Sequence, residues 1–183
     1  MRRLLLSLAF VPIMVHQGIP TMCYRGQVKA APKVDPKQEK CLATAIYGEA
    51  RREAEIGQIA MAFTALNRAV NKTICGVVLA PRQYSIFNDN PALKAAAMSP
   101  HLEPRQKNII DKASWEQAKH VARMVLTGSI SDPTMGSTHY LADKVMRQKG
   151  YIYPRWSKEY IQVAVIGGHR FFKINAKSTI NKA

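Results

Sequence analysis

CLATAIYGEARREAEIGQIAMAFTALNR, residues 41–68, predicts two helices joined by a short polar turn. The positions seven, four and three residues before Glu49 are apolar and share its helix face: Leu42, Ala45 and Ile46. A glutamate on such a face loses solvation, which favours its protonated form. A protonated carboxyl group is what a glycosidic leaving oxygen requires. The alternative is a structural glutamate that reaches water or pairs with Arg51 or Arg52.

The composition indicates a folded and strongly basic protein. Of 183 residues, 47% are hydrophobic, which is enough for one domain with a buried core plus a leader or tail. The 27 Lys and Arg residues against 12 Asp and Glu residues give a formal charge of +15. This charge attracts polyanions such as nucleic acid, anionic lipid or an acidic cell envelope, without choosing among them.

The N-terminus is typical of an exported protein. In residues 1–23, two arginines precede an apolar run from Leu4 to Val15, so we expect a signal peptide or signal-anchor that makes transient membrane contact. The alternative is a buried N-terminal helix. Export places the protein in the periplasm or cell wall. Residues 24–39 form a predicted basic linker, residues 40–174 the predicted domain, and residues 175–183 a predicted flexible tail.

Three cysteines leave the disulfide state open. In an exported protein Cys41 and Cys75 could pair and leave Cys23 over. The alternative is three free thiols, since sequence alone does not fix the geometry of a bridge.

Periodicity predicts a mainly helical α+β domain. The first helix begins between Pro36 and Cys41 and ends at Ala50, and the second runs from Glu55 to about Val70. A third helix is predicted to open at Ser114, with Gln117 completing a capping box and Gly128 ending it. Its apolar face includes Trp115, whereas His120 lies on the opposite face. Between the second and third helices we expect a helix-poor stretch in which Tyr84, Ile86 and Phe87 form a short strand or an aromatic loop.

The last third of the sequence predicts a small sheet. Residues 138–141 look extended, and residues 160–166 and 169–174 flank a glycine pair, which predicts a hairpin. His101 lies in a loop and His16 in the leader, so neither suggests a chemical role. Asn67 borders the core face of the second helix, and we expect it to satisfy backbone groups of a loop.

Six motifs in order resemble the SleB-like (spore cortex-lytic) cell wall hydrolases of spore formers, other bacteria and bacteriophages. They are CLATAIYGEAR, GQIAMAFTALNR, TICGVV, QYS, STHYL and GGHRFF, which together span about residues 40–174. The resemblance implies a lysozyme-like, lytic-transglycosylase-like fold. It also implies cleavage of the bond between N-acetylmuramic acid and N-acetylglucosamine in peptidoglycan, and a phage endolysin is one of the origins that it leaves open.

The resemblance implies roles for individual residues. Glu49 matches the family's catalytic glutamate. The residues that match its cleft positions are Gln83, Ser85, His139, Tyr140 and, more weakly, His169. Trp156 is a candidate aromatic at the cleft edge, where it could stack on a sugar ring. Arg52 departs from the family, which often has glycine there, so we expect a change in the turn after the first helix.

A lytic transglycosylase needs one carboxyl group, which protonates the leaving oxygen and then takes the proton of the muramoyl 6-hydroxyl. A hydrolytic muramidase or glucosaminidase needs a second carboxylate. The candidates for it are Glu53, Glu55, Asp89, Asp132 and Asp143, and no pattern singles one out. The sequence therefore favours the transglycosylase.

Three further classes stay open. The first is a metal-dependent N-acetylmuramoyl-L-alanine amidase that uses His139 and His169, although these lack HExxH spacing. The second is a basic envelope- or nucleic-acid-binding protein, although no binding motif is present. The third is a non-catalytic wall-binding domain. The preferred prediction is a monomer that needs no cofactor or metal, acts on peptidoglycan glycan strands in an anionic envelope, and binds no specific nucleic acid.

Overall fold

The structure is a computed structural model that describes residues 33–175. The predicted leader, Cys23, the linker up to residue 32 and the tail from residue 176 lie outside the described residues. The elements, in chain order, are α1 (Pro36–Ala50), α2 (Glu55–Arg68), α3 (Ile74–Val78), α4 (Ser85–Asp89), α5 (Pro91–Met98), α6 (Ile109–Leu126), β1 (His139–Leu141), α7 (Asp143–Lys149), α8 (Trp156–Glu159), β2 (Ile161–Ile166) and β3 (His169–Lys173).

Helix α1 is the centre of the fold. The Asp35 side chain accepts a hydrogen bond from the Lys37 N–H at 2.8 Å, and Pro36 occupies the first turn, so the helix start is capped. Residues 36–39, assigned to the linker above, are therefore helical. Residues 41–47 are all buried, because α1 packs against α2, α3, α5 and α6.

The second helix ends two residues earlier than predicted. Helix α2 stops at Arg68, and Val70, expected on its core face, is 79% exposed in the turn that leads to α3. The Thr73 hydroxyl accepts the Gly76 N–H at 3.0 Å, so a new helix starts there. A disulfide joins Cys41 of α1 to Cys75 of α3, with their Cα atoms 5.2 Å apart.

The prediction of a helix-poor stretch after residue 81 is wrong. Two short helices, α4 and α5, follow each other there, and Phe87 is buried within α4. The Asn90 side chain accepts the Leu93 N–H at 3.0 Å, and Pro91 follows it at the first helical position. An asparagine cap followed by proline is a helix start that the sequence does contain.

The predicted start of the third helix is also wrong. Helix α6 begins at Ile109, capped by Asn108, and Gln117 donates to Glu55 at 2.6 Å instead of completing a capping box. Its first two residues, Ile109 and Ile110, are exposed, so apolar periodicity does not mark this start. The end is as predicted, since Gly128 follows the helix in the left-handed region with φ +68°.

The three strands form an antiparallel sheet in the order β1-β3-β2, with β2 and β3 as the predicted hairpin. His139 pairs with Phe172, and Tyr140 pairs with Phe171. Because side chains alternate along a strand, Tyr140, His169 and Phe171 share one face of the sheet, and His139 and Phe172 share the other. The prediction of a mainly helical α+β domain with a late sheet is confirmed.

Over the described residues, the structure contains no helix that is both long enough and apolar enough to cross a membrane.

Candidate active site

Glu49 lies in the last turn of α1, where it is partly buried. Its Oε1 atom accepts two hydrogen bonds from the start of α4, one from the Ser85 hydroxyl at 3.2 Å and one from the Ile86 N–H at 3.0 Å. Within residues 33–175, both hydrogen bonds to this carboxylate end on Oε1, so Oε2 is the oxygen available to a ligand. The structure thus brings Glu49 and Ser85 together.

Gly48 allows this close approach of α4 to α1. A Cβ atom at this position would lie 2.7 and 2.8 Å from two side-chain carbons of Ile86, and 3.0 Å from Leu93. No side chain larger than hydrogen fits there unless Ile86 moves. The backbone N–H that holds Glu49 belongs to the same Ile86, so the glycine sets the position of the carboxylate's partner.

The pKa values of two tyrosines near Glu49 are raised, mainly by burial and in part by the charge of Glu49. Burial raises the pKa of Tyr84 to about 12, where Arg68 opposes the shift and Glu49 adds to it. Burial also raises the pKa of Tyr140 well above its usual value, and Glu49 again adds to the shift. Both phenols therefore stay protonated at neutral pH. Tyr84 is almost fully buried, whereas Tyr140 is only partly buried, so Tyr140 is the one that can donate to a ligand.

Arg68 supplies a positive charge near Tyr84, Tyr140 and His139, and it was not among the predicted site residues. Its guanidinium carbon lies 5.8 Å from the ring centre of Tyr84, and its charge also acts on Tyr140 and His139. In the part of the chain that the structure describes, it makes no ion pair with an acidic side chain. Its place at the end of the LNR motif is the signal that could have identified it.

Glu53 and His169 meet beside the site. Glu53 lies in the turn between α1 and α2, and its Oε1 atom is 3.7 Å from Nδ1 of His169 at the start of β3. The His169 ring also packs against Tyr140, with ring centres 5.6 Å apart. Burial lowers the pKa of His169, and the charges of Glu53 and Glu49 oppose that shift. Within the described part of the chain, Glu53 is thus the alternative carboxylate with an ion-pair contact to a predicted site residue.

His139 and Trp156 lie in an aromatic cluster on the opposite face of the sheet. The His139 ring centre is 5.3 Å from that of Trp156 and 4.9 Å from that of Tyr160, and Trp156 also packs against Phe172. The His139 Nδ1 atom lies 2.9 Å from the Thr138 hydroxyl. Burial and the charge of Arg68 lower the pKa of His139. His139 and Tyr140 are adjacent in sequence, but their side chains lie on opposite faces of the sheet. Tyr140 shares its face with His169.

Gln83 is exposed in the turn before α4. Among the described residues, the hydrogen bonds to Glu49 come from Ser85 and Ile86 and not from Gln83. Asn67 has the loop role expected of it, because its amide donates to Asp132 at 2.9 Å and to the Ser137 carbonyl at 3.0 Å. Asp132 also accepts from Thr134 and Gly136, and it thereby fixes the loop that leads into β1.

Arg52 does not require the backbone freedom of glycine. Among the described residues, the non-glycine residues with positive φ are Arg82 and Met135. The turn after α1 therefore holds arginine at this position without left-handed backbone strain.

The residues around Glu49 lie in or next to a segment that matches a known protein family. The model of the family described as Cell Wall Hydrolase matches residues 52–172, well over half of the chain. The chain belongs to the cell wall hydrolase family. The matched segment includes Ser85, Tyr140 and His169, and it begins three residues after Glu49. No curated protein matches the chain significantly in sequence.

Two solved structures have a fold similar to that of this cell wall hydrolase. It resembles the catalytic domain of the germination-specific lytic transglycosylase SleB from Bacillus anthracis, at 25% identity and a TM-score of 0.55 over 78% of this chain and 98% of that one. It also resembles the catalytic domain of the Bacillus cereus SleB protein, at 24% identity and a TM-score of 0.51 over 81% of this chain and 100% of that one. The predicted SleB-like fold is confirmed.

Proposed function

We propose that this cell wall hydrolase is a peptidoglycan lytic transglycosylase that cleaves the bond between N-acetylmuramic acid and N-acetylglucosamine, with Glu49 as its acid and base. The observation that carries the proposal is the Glu49 carboxylate, which is held through Oε1 by Ser85 and the Ile86 N–H and keeps Oε2 for substrate. The similarity to the SleB lytic transglycosylase domain supports the same reaction.

In the proposed reaction, protonated Glu49 donates its proton to the glycosidic oxygen while the C1–O bond breaks. Positive charge develops at C1 of the muramoyl residue. The 6-hydroxyl of the same residue then attacks C1, its proton passes to the Glu49 carboxylate, and a 1,6-anhydro ring closes. Glu49 regains the proton that it gave, so one carboxyl group suffices and water is not consumed.

The surrounding residues have roles that follow from their chemistry. Ser85 and the Ile86 N–H orient the carboxylate and stabilise it after proton transfer. The Tyr140 hydroxyl is a protonated donor on the same side of the sheet, suited to an acetamido or ring oxygen of the sugar. Gln83 and the aromatic cluster of His139 and Trp156 remain proposed contacts to more distant sugar residues.

Hydrolysis by a muramidase or glucosaminidase is the second candidate, and Glu53 is the specific observation that favours it. This carboxylate lies four residues after Glu49, in the turn between α1 and α2, and contacts His169. It could serve as the second carboxylate that activates water. The amidase alternative is weaker, because the two histidines that it needs, His139 and His169, lie on opposite faces of the sheet.

The basic charge and the N-terminus fit the same proposal. A formal charge of +15 concentrates the protein on an envelope that carries carboxylates and phosphates. Export through the N-terminal segment to the periplasm or wall, transient membrane contact there, the monomeric state and a phage endolysin origin all remain parts of the proposal.

The test is digestion of purified peptidoglycan with wild type and with Glu49→Gln, followed by mass spectrometry of the soluble fragments. Anhydromuramoyl ends that disappear in the variant are the expected result. Glu116→Gln on the exposed face of α6 is the matched control and should digest like wild type, because the ion pair of Glu116 within residues 33–175 is to Lys119 on its own helix.

Other products would decide for the alternatives. Reducing ends would indicate hydrolysis, free stem peptides an amidase, and binding to murein without soluble fragments a wall-binding domain. Salt-dependent retardation of nucleic acid with no action on walls would indicate a nucleic-acid-binding protein. Full activity of Glu49→Gln would contradict the role given to Glu49.

A further inference from the structure

Glu53 is a carboxylate outside the proposed proton transfer, and it lies against the turn of the β2–β3 hairpin. Its side chain is 27% exposed, and the turn of the β2–β3 hairpin closes over it. A Cβ atom on Gly167 would lie 2.6 Å from Oε2 of Glu53, and Gly167 has φ +58°. Position 167 of the hairpin turn therefore requires glycine for two reasons: its φ angle is in the left-handed region, and a side chain there would collide with the Glu53 carboxylate.

The carboxylate is placed against one nitrogen of His169. The 3.7 Å between Glu53 Oε1 and His169 Nδ1 is an ion-pair distance, and His169 is itself only 15% exposed. A negative charge at this nitrogen favours the tautomer that carries its proton on Nδ1. The other nitrogen, Nε2, is then left as a hydrogen-bond acceptor.

The charges of two carboxylates act on His169. Glu53 faces it from the α1–α2 turn, Glu49 acts on it from α1, and Tyr140 packs on it from β1. Lys144 of α7 adjoins the hairpin at Gly168, where its backbone N–H donates to the Gly168 carbonyl at 3.2 Å. A protonated His169 carries protons on both ring nitrogens and accepts no hydrogen bond, so accepting one from a substrate hydroxyl requires His169 to be neutral.

We propose that Glu53 is a positioning residue that fixes the orientation and the Nδ1-protonated tautomer of His169, and that neutral His169 orients the muramoyl 6-hydroxyl through Nε2. The proposal rests on the proposed function, since it assigns the hydroxyl that His169 orients. Glu53 acts only through His169, so it is not itself the second carboxylate of a hydrolase. The proton of the 6-hydroxyl still passes to Glu49.

The first arm of the test measures His169 directly by NMR titration of its ring, assigned with the His169→Gln variant. Glu53→Gln removes the charge and keeps the size of the side chain, so the pKa of His169 should fall. Glu55→Gln is the control, because Glu55 is exposed on α2 and bonds to Gln117 instead. An unchanged titration of His169 in Glu53→Gln would overturn the proposal.

The second arm measures formation of anhydromuramoyl products from soluble glycan fragments as a function of pH. Activity of the wild type should rise as His169 loses its proton, and Glu53→Gln should move this rise to lower pH. Each of Glu53→Gln and His169→Gln should lower kcat about 100-fold with little change in KM, as expected when a reacting group is misplaced. The double variant should be no worse than either single one.

Independent losses that multiply in the double variant would overturn the role of Glu53 as a partner of His169. Thermal unfolding of each variant separates loss of fold from loss of orientation. If the wild type forms no anhydromuramoyl ends, the proposed function fails, and the titration of His169 in Glu53→Gln then decides the coupling by itself.

Discussion

Gly48→Ala tests how closely α4 must approach Glu49. The added Cβ would lie 2.7 Å from a carbon of Ile86, whereas ordinary contact begins at 3.4 Å. Ile86 must therefore retreat by about 0.7 Å. If its backbone follows, the N–H bond to Glu49, now 3.0 Å, stretches beyond hydrogen-bonding range.

Gly48→Ala has two opposing effects on the free energy of unfolding, whereas its effect on activity is a loss alone. Alanine in place of glycine favours the helix by about 1 kcal/mol. Overpacking costs about 1–3 kcal/mol, so the net loss of stability is about 0–2 kcal/mol. A lost hydrogen bond to a charged group is worth about 1.5–3 kcal/mol, which corresponds to roughly a 10- to 100-fold loss of activity.

The assay is anhydromuramoyl product formation alongside urea unfolding. The control is Gly76→Ala in α3, where the added Cβ meets only the Thr73 hydroxyl, at 3.0 Å, and lies away from Glu49. Wild-type activity in Gly48→Ala would refute the argument that glycine is needed to seat the Ile86 N–H.

Three further outcomes are expected. Reduction of the Cys41–Cys75 disulfide, which spans a sequence separation of 34, should lower the free energy of unfolding by about 3–4 kcal/mol in thermal or urea melts, and unchanged melts would contradict this. Burial alone would raise the pKa of Asp132, but its hydrogen bonds outweigh burial and lower the pKa, so wild type should be more stable than Asp132→Asn at pH 7. Because the folded pKa lies below the unfolded one, this difference should shrink only as pH falls below about 4, and a difference that grows in acid would be the wrong sign. Gly167→Ala should destabilise by at least about 1–2 kcal/mol and reduce activity, since it strains the left-handed turn and displaces Glu53, whereas a neutral effect in both assays would show that the turn tolerates a side chain.

The long helices could be predicted because local signals are strong there. Asp35 and Pro36 cap α1, and its face from Leu42 to Glu49 is periodic. The short helices α4 and α5 are hard to predict, because five to eight residues are too few to show a helical period of apolar side chains. The start of α5 is marked only by Asn90 and Pro91, which also fit a turn. The start of α6 was missed because Asn108 precedes two exposed isoleucines.

The site could be predicted only in part. Motif order indicates Glu49, Ser85, Tyr140 and His169 as candidate site residues, and these lie on α1, α4 and the sheet. The hydrogen bond from Ile86 comes from the backbone, so no residue type in the sequence marks it. The choice of Glu53 among several carboxylates depends on a hairpin far along the chain, and such a contact exists only after folding.

The most direct test of the central claim is the yield of anhydromuramoyl ends from purified peptidoglycan with wild type and with Glu49→Gln. Loss of a general acid typically costs at least about 100-fold in rate, so these ends should form with wild type and nearly vanish in a variant that melts like wild type. Anhydromuramoyl ends at the wild-type rate from Glu49→Gln would contradict the account.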